Sequence, residues 1–318
     1  MSLFEKRLIL VVGKGGVGRS TIAAAIADRC ARAGRRTLLY ETNANDRFGN
    51  YFDKPTVGTE LSQLAQNLWG VNATPASALE EYGLMILRWK SVYEMVFENR
   101  VTKAFLRAIP GLDDYALLGK AWFHTTEEKR GRAVWDTVVF DMPASGHASS
   151  MLRVPWVIAE TVPEGPLTRD ARTVKELLTD PERTATVMVT LAEEMPVNEA
   201  MELETKLSAL GIVPQQVIAN QVFPEHFPAG SPVDKVLAEL VAAQPQFVPR
   251  QPLESVTTHA SLSHDRRLLN AHYLDELRKR ARAPLVELPM LFVQRLEMQH
   301  IQTLGQRLVT ALSRDESR

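Results

Sequence analysis

The sequence has almost no cysteine, no long apolar run and almost no net charge, and each shortage removes a class of protein. A single cysteine, Cys30, in 318 residues excludes an intrachain disulfide and a paired-cysteine metal clamp, a composition that suits a reducing cytoplasm. No window supplies the roughly 20 consecutive apolar residues that a membrane-spanning helix needs, so any membrane contact is expected to be peripheral. Lys6 and Arg7 precede an apolar run, yet the run stops after Val12, too early for a secretory signal. Lys plus Arg (37) nearly balance Asp plus Glu (38), which removes any global electrostatic argument for binding nucleic acid. What remains is an ordinary globular composition, 45% hydrophobic, with enough apolar material for one large domain or two small ones.

Leu8–Val12 is the run around which the rest of the chain is organised. Five apolar residues in a row suit a strand buried on both faces of a parallel sheet, and a glycine-rich turn follows at once. Gly13, Gly15, Gly16 and Gly18 permit positive φ values and close backbone approach, so that successive N–H groups converge on phosphate oxygens at the start of a helix. Gly13–Ser20 fits the phosphate-loop pattern G-x-x-x-x-G-K-[ST] except that Arg19 stands where lysine is expected. The nucleotide-binding set is therefore Gly13, Lys14, Gly15, Gly16, Val17, Gly18, Arg19, Ser20 and Thr21. The Ser20 hydroxyl would then reach Mg²⁺.

The chain then alternates strand and helix patterns. Ile22, Ile26 and Cys30 form a helical stripe ending near Gly34, Thr37–Tyr40 reads as a second strand, and the polar stretch Glu41–Asn50 reads as a switch loop at its C-terminal end. Residues 61–130 look helical, with Tyr82, Met85, Ile86, Trp89, Val92, Tyr93 and Val96 on one face, and are read as a helical insertion interrupted at Pro110–Gly111. Thr137–Asp141 is an apolar strand ending in a carboxylate that would face the glycine loop and hold Mg²⁺. Further strands are expected at Thr186–Thr190, Gln216–Ala219 and Leu285–Leu288, with loops at 228–232 and 244–252. The last helix carries Ile301, Leu304, Leu308 and Leu312 on one face and should dock on the sheet. His259, His264 and His272 match no compact metal pattern. The expected fold is α/β, a single doubly wound, mostly parallel sheet of the P-loop NTPase type spanning 1–318.

The order Lys14-Gly-Gly-Val-Gly-Arg-Ser-Thr21 resembles the deviant phosphate loop of the MinD/ParA/ArsA class of ATPases. Asp141-Met-Pro-Ala-Ser-Gly-His-Ala-Ser-Ser-Met-Leu-Arg153 is similar to a signature of the ArsA-type ATPases, which include arsenite-pump and tail-anchored-protein targeting members. Matches at 189–199, 218–224 and 286–291 extend the resemblance along nearly the whole chain. The resemblance implies a cytoplasmic, dimeric, nucleotide-driven switch that hydrolyses ATP with Mg²⁺. It gives Lys14 a role across the dimer interface, and Asn220 and Pro289 the framing of adenine. It also identifies Asn43 as standing where the family carries a water-orienting aspartate. Four residues are thus catalytic candidates: Lys14, Arg19, Asn43 and Asp141.

Arg19 and Asn43 depart from the family at the chemistry itself, so hydrolysis is expected to be slow. They also favour a second reading, a weakly catalytic subunit of a heterodimer with a related ATPase. A MinD/ParA-like positioning ATPase ranks third. The sequence names no protein client, and the partner in either reading is a second copy or a relative.

Overall fold

The computed structural model describes residues 2–42, 46–87, 111–227, 232–243 and 253–315. The chain begins with β1 (Leu8–Gly13), helix α1 (Arg19–Arg32), β2 (Thr37–Glu41) and a short α2 (Phe48–Tyr51). Next come β3 (Ser62–Ala65), β4 (Leu68–Asn72), α3 (Pro75–Leu87) and α4 (Leu112–Thr126). A small hairpin, β5 (Glu128–Lys129) and β6 (Arg132–Ala133), precedes β7 (Thr137–Asp141). The C-terminal half continues with α5 (Ser145–Thr161), α6 (Pro166–Thr179), β8 (Thr184–Leu191), α7 (Glu194–Ala209) and β9 (Gln216–Val222). It ends with α8 (Val233–Ala243), α9 (Leu253–Arg280), β10 (Leu285–Pro289) and α10 (Met298–Asp315).

Eight strands form one sheet in the order β10-β9-β8-β1-β7-β2-β4-β3, parallel throughout except for β3, which pairs antiparallel with β4. The chain works outward from β1 on one side, returns to β7, and crosses to β8 on the other. The open crevice of such a sheet lies at the C-terminal ends of its strands near this reversal, where the glycine loop follows β1.

Period-two alternation along β1 explains why all six of its residues are buried. Leu8, Leu10 and Val12 join Tyr40, Val138 and Phe140 in a core covered by α4, α5, α6, α7 and α9. Ile9 and Val11 join Leu39, Val139 and Val187 on the opposite face, beneath α1 and α10. The docking of α10 follows the expected stripe: Ile301, Leu304 and Leu308 are buried, and Leu312 packs at the rim.

The helical reading of 61–130 needs correction at its start. Residues 62–72 form β3 and β4, two strands of the main sheet, and the helical stretch begins only at Pro75. The two strands are short, and Gln63, Gln66 and Asn67 break the apolar run by which the inner strands reveal themselves. Trp89, Val92, Tyr93, Val96 and Pro110 lie outside the described residues, as do Asn43, most of 228–232 and all of 244–252. Among the described residues, no helix is long and apolar enough to cross a membrane.

Candidate functional site

The glycine loop takes its shape from positions no other residue fits well. Gly13, Gly16 and Gly18 have φ of 154°, 89° and 90°. A Cβ on Gly13 would sit 2.2 Å from the Val189 carbonyl oxygen, and one on Gly18 would sit 2.2 Å from the Asn220 side-chain nitrogen. At Gly15 and Gly16, by contrast, an added Cβ would meet nothing within 4 Å, so the loop is walled on its sheet side and open above. Helix α1 starts at Arg19 and aims its first-turn N–H groups and positive dipole end at that opening.

Ser20 and Asp141 meet at the foot of this loop. In-register pairing of β1 with β7 sets Asp141 opposite Val11, and its Oδ2 accepts a 2.6 Å hydrogen bond from the Ser20 hydroxyl. Ser20 is 6% exposed and Asp141 is fully buried. A hydroxyl and a carboxylate are hard oxygen donors of the kind Mg²⁺ takes, beside a cradle open to phosphate, so the residues present fit the ion. Glu41, also fully buried, ends β2 in register with Asp141 and adds a second carboxylate at the same level of the sheet. Asp46 is committed elsewhere: its carboxylate accepts from the backbone N–H groups of Phe48, Gly49 and Val57 and caps α2.

The two basic residues of the loop are held away from its opening. The Arg19 guanidinium donates to the carbonyl oxygen of Met142, just after β7. Burial draws its pKa below the ordinary arginine value, the Asp141 carboxylate opposes that shift, and Arg47 adds to it. Lys14 Nζ contacts Glu199 Oε1 on α7 at 2.6 Å, and the other oxygen of Glu199 accepts a 3.4 Å hydrogen bond from Ser145 at the start of α5. Lys14, to which the family resemblance gives a role across a dimer interface, thus also has an ion-pair partner within its own subunit. Lys14 and Glu199 remain 27% and 35% exposed, and half-exposed ion pairs contribute about 0–1 kcal/mol, weak enough for a phosphate or a partner to displace.

Asn220 and Pro289 converge across the sheet. With Thr21, Gln221, Leu291 and Leu304 they line a cavity of about 210 Å³ beside the N-terminus of α1. The Asn220 amide donates to the Val17 carbonyl at 2.9 Å, bracing the glycine loop and leaving its own carbonyl oxygen as an acceptor. Gln221, with φ of 56°, marks a kink at this point of β9.

The structure thus brings together Gly13–Thr21, Asp141, Asn220 and Pro289, whereas Asn43 lies outside the described residues. Sequence reasoning gave no role to Glu199 and Ser145, although both stand within the stretches that carried the family resemblance. The missing signal was tertiary: Lys14 and Glu199 are 185 positions apart.

A parallel sheet, a glycine loop between β1 and α1, and a hydroxyl–carboxylate pair at its foot define a P-loop nucleotide-binding protein. The profile of the family described as anion-transporting ATPase matches residues 6–164 and 166–237, and the chain belongs to that family. It is 31% identical to the ATPase BagA of Mycobacterium tuberculosis over 227 residues, covering 69% of this chain and 66% of that protein. Over 240 residues it is 28% identical to an arsenical pump-driving ATPase of Escherichia coli, covering 68% of this chain and 39% of the relative. Identity to ATPase GET3 of Candida glabrata is 26% over 255 residues, 67% of this chain and 71% of the relative. The chain therefore spans less than the full length of each of these relatives, and well under half of the arsenical pump protein.

Proposed function

We propose that the chain binds Mg²⁺–ATP at the glycine loop and hydrolyses it slowly to ADP and phosphate, acting as a nucleotide-dependent switch in the cytoplasm. The observation that carries this reading is the buried Ser20–Asp141 pair at the foot of an open glycine cradle. Backbone N–H groups of Gly15–Thr21 hold the phosphates, Asn220 and Pro289 frame the adenine, and Ser20 and Asp141 hold Mg²⁺. When bound, the ion neutralises charge on the β- and γ-phosphate oxygens. Hydrolysis joins the water oxygen to the γ-phosphorus and breaks its bond to the β–γ bridging oxygen, which leaves with ADP.

Slow turnover follows from two residues. Arg19 carries its charge on a planar fork that does not replace a lysine ammonium between phosphates, and its guanidinium already has a partner in the Met142 carbonyl. Asn43 can position water but takes up no proton, and loss of a single acid–base or positioning group costs on the order of 10² to 10⁴ in rate. The reading of a dimer as the working unit rests on the family resemblance of Lys14, which would have to leave Glu199 to reach nucleotide on a second subunit. The same Arg19–Met142 contact also favours the alternative of a weakly catalytic subunit in a heterodimer with a related ATPase.

Phosphate release by the purified protein tests the rate argument. Arg19→Lys and Asn43→Asp should each raise turnover at saturating Mg²⁺–ATP. Turnover already typical of P-loop ATPases, unchanged by either substitution, would contradict it and move attention to Glu41.

A further inference from the structure

Strand β9 breaks its own alternation where it reaches the cavity beside α1. Val217 and Ala219 are buried in the core beneath α7 and α9, and Ile218 in the core beneath α1. Continued alternation would send Gln221 the way of Ala219 and Val222 the way of Ile218. Instead Val222 joins Ala219, and Gln221 lines the cavity together with Asn220. Pairing with β10 shows the same slip: Glu287 and Pro289 are two residues apart, whereas their partners Ala219 and Val222 are three apart. The extra residue is a β-bulge, a device that re-aims side chains. The strain falls on Gln221, whose φ of 56° lies in the left-handed region that a long side chain seldom adopts. Both carboxamides consequently come to one side of the strand. A Cβ on Gly18 would have Asn220 Nδ2 at 2.2 Å and Gln221 Nε2 at 3.6 Å.

A conformation of this kind persists only where its surroundings over-determine it. From the β10 side, the Met290 N–H donates to the Val222 carbonyl at 2.9 Å. From the other side α9 brings up Asn270, which is 4% exposed. Its Oδ1 accepts from the Phe223 N–H at 2.9 Å, and its Nδ2 donates to the carbonyl of Ala192, just past the end of β8, at 3.0 Å. A carboxamide is the short side chain that accepts at one atom and donates from another, so Asn270 ties the ends of two neighbouring strands together. Phe223 in turn meets Phe292 edge to face, with ring centroids 5.7 Å apart, in the segment that follows Pro289. Both walls of the cavity, Asn220–Gln221 and Pro289–Leu291, therefore connect back to the backbone that Asn270 holds.

We infer that Asn270 is a positioning residue for recognition of the nucleotide base, clamping the β9 bulge so that Asn220 and Gln221 present their amides to the cavity together. The inference rests on the reading of that cavity as the adenine site. Without the clamp Gln221 relaxes out of the left-handed region, and the two side chains return to opposite sides of the strand. The phosphate cradle belongs to a different loop, so the loss falls on the base more than on the phosphates.

Calorimetric titration with Mg²⁺–ATP and with Mg²⁺–tripolyphosphate, which offers the phosphates without the base, tests this, with thermal melting as a check on folding. The wild type should prefer ATP, and Asn270→Ala should shrink that preference at least fivefold. Adding Gln221→Asn to that variant should recover the preference at least threefold, because asparagine tolerates the left-handed conformation and keeps a carboxamide. Should Asn270→Ala not fold, Asn270→Asp takes its place. It keeps the shape and the acceptor for Phe223 but cannot donate to Ala192, and should lose at least twofold, recovered by the same second substitution. The inference is overturned, with the adenine reading intact, by a preference that a folded Asn270 variant leaves unchanged or by a loss that Gln221→Asn does not recover. Failure of both Asn270 variants to fold would overturn it as well, making the residue a determinant of the fold. A wild type that binds tripolyphosphate as tightly as ATP would overturn the adenine reading itself and this inference with it.

Discussion

Arg19 occupies the position at which the general phosphate-loop pattern places lysine, and its guanidinium ends on the Met142 carbonyl rather than over the cradle. That substitution was legible from the sequence because the loop is contiguous. The Glu199 anchor of Lys14 was not, because it comes from a helix far along the chain. His124 shows the same limit: nothing local marks it, yet α4 buries it against Tyr40 while Glu127 contacts its Nδ1. Burial lowers its pKa below the ordinary histidine value, and Glu127 only partly opposes that. The unfolded chain regains a pKa near about 6.5. The neutral ring therefore contributes stability above that pH, and the contribution is lost as pH falls through the lower folded value. The wild-type melting temperature should drop more steeply between pH 7 and pH 5 than that of His124→Gln. Parallel curves would show that His124 does not titrate with unfolding.

The strands differed in how far the sequence betrayed them. β1, β7 and β8 are buried on both faces and carry apolar runs at Leu8–Val12, Val138–Phe140 and Val187–Val189, so the centre of the sheet and its Asp141 terminus were legible. β3 is an edge strand and β4 joins it to β2; Ser62, Gln63 and Gly70 interrupt their apolar residues, and a hairpin of four and five residues leaves too few positions to show the period, whereas β10 at the other edge was legible at Leu285–Leu288. Asn67, with φ of 59° between them, was the available turn signal. The α1–α10 contact was legible as a stripe of leucine and isoleucine on α10, but its closeness depends on a residue without a side chain. A Cβ at Gly305 would lie 2.8 Å from Arg29 Cγ and 3.0 Å from the Ala25 carbonyl oxygen. Gly305→Val should push the helices apart and destabilise the fold by about 1–3 kcal/mol, read from the urea midpoint. An unchanged midpoint would mean that α10 shifts freely and does not fix the cavity to which Leu304 contributes.

At the scale of the molecule, one sheet presents a different surface at each end. The C-terminal ends of its strands present the glycine loop, the hydroxyl–carboxylate pair and the Asn220–Pro289 cavity. The N-terminal ends border a basic cavity that includes Arg36 and the β5–β6 hairpin. Strands β2 and β7 are continuous with both and are five residues each, about 17 Å of rigid structure. Family membership and the geometry around Ser20 make nucleotide binding the central claim. Calorimetric titration of Mg²⁺–ATP into wild-type protein and into Asp141→Asn, with thermal melting as a check on folding, tests it most directly. Saturable binding to the wild type is predicted, with a melting shift equivalent to about 2.7 kcal/mol at a hundredfold excess over Kd, and at least tenfold weaker Mg²⁺-dependent binding to a folded Asp141→Asn. A folded wild-type protein that shows neither heat of binding nor a melting shift with Mg²⁺–ATP would contradict the claim.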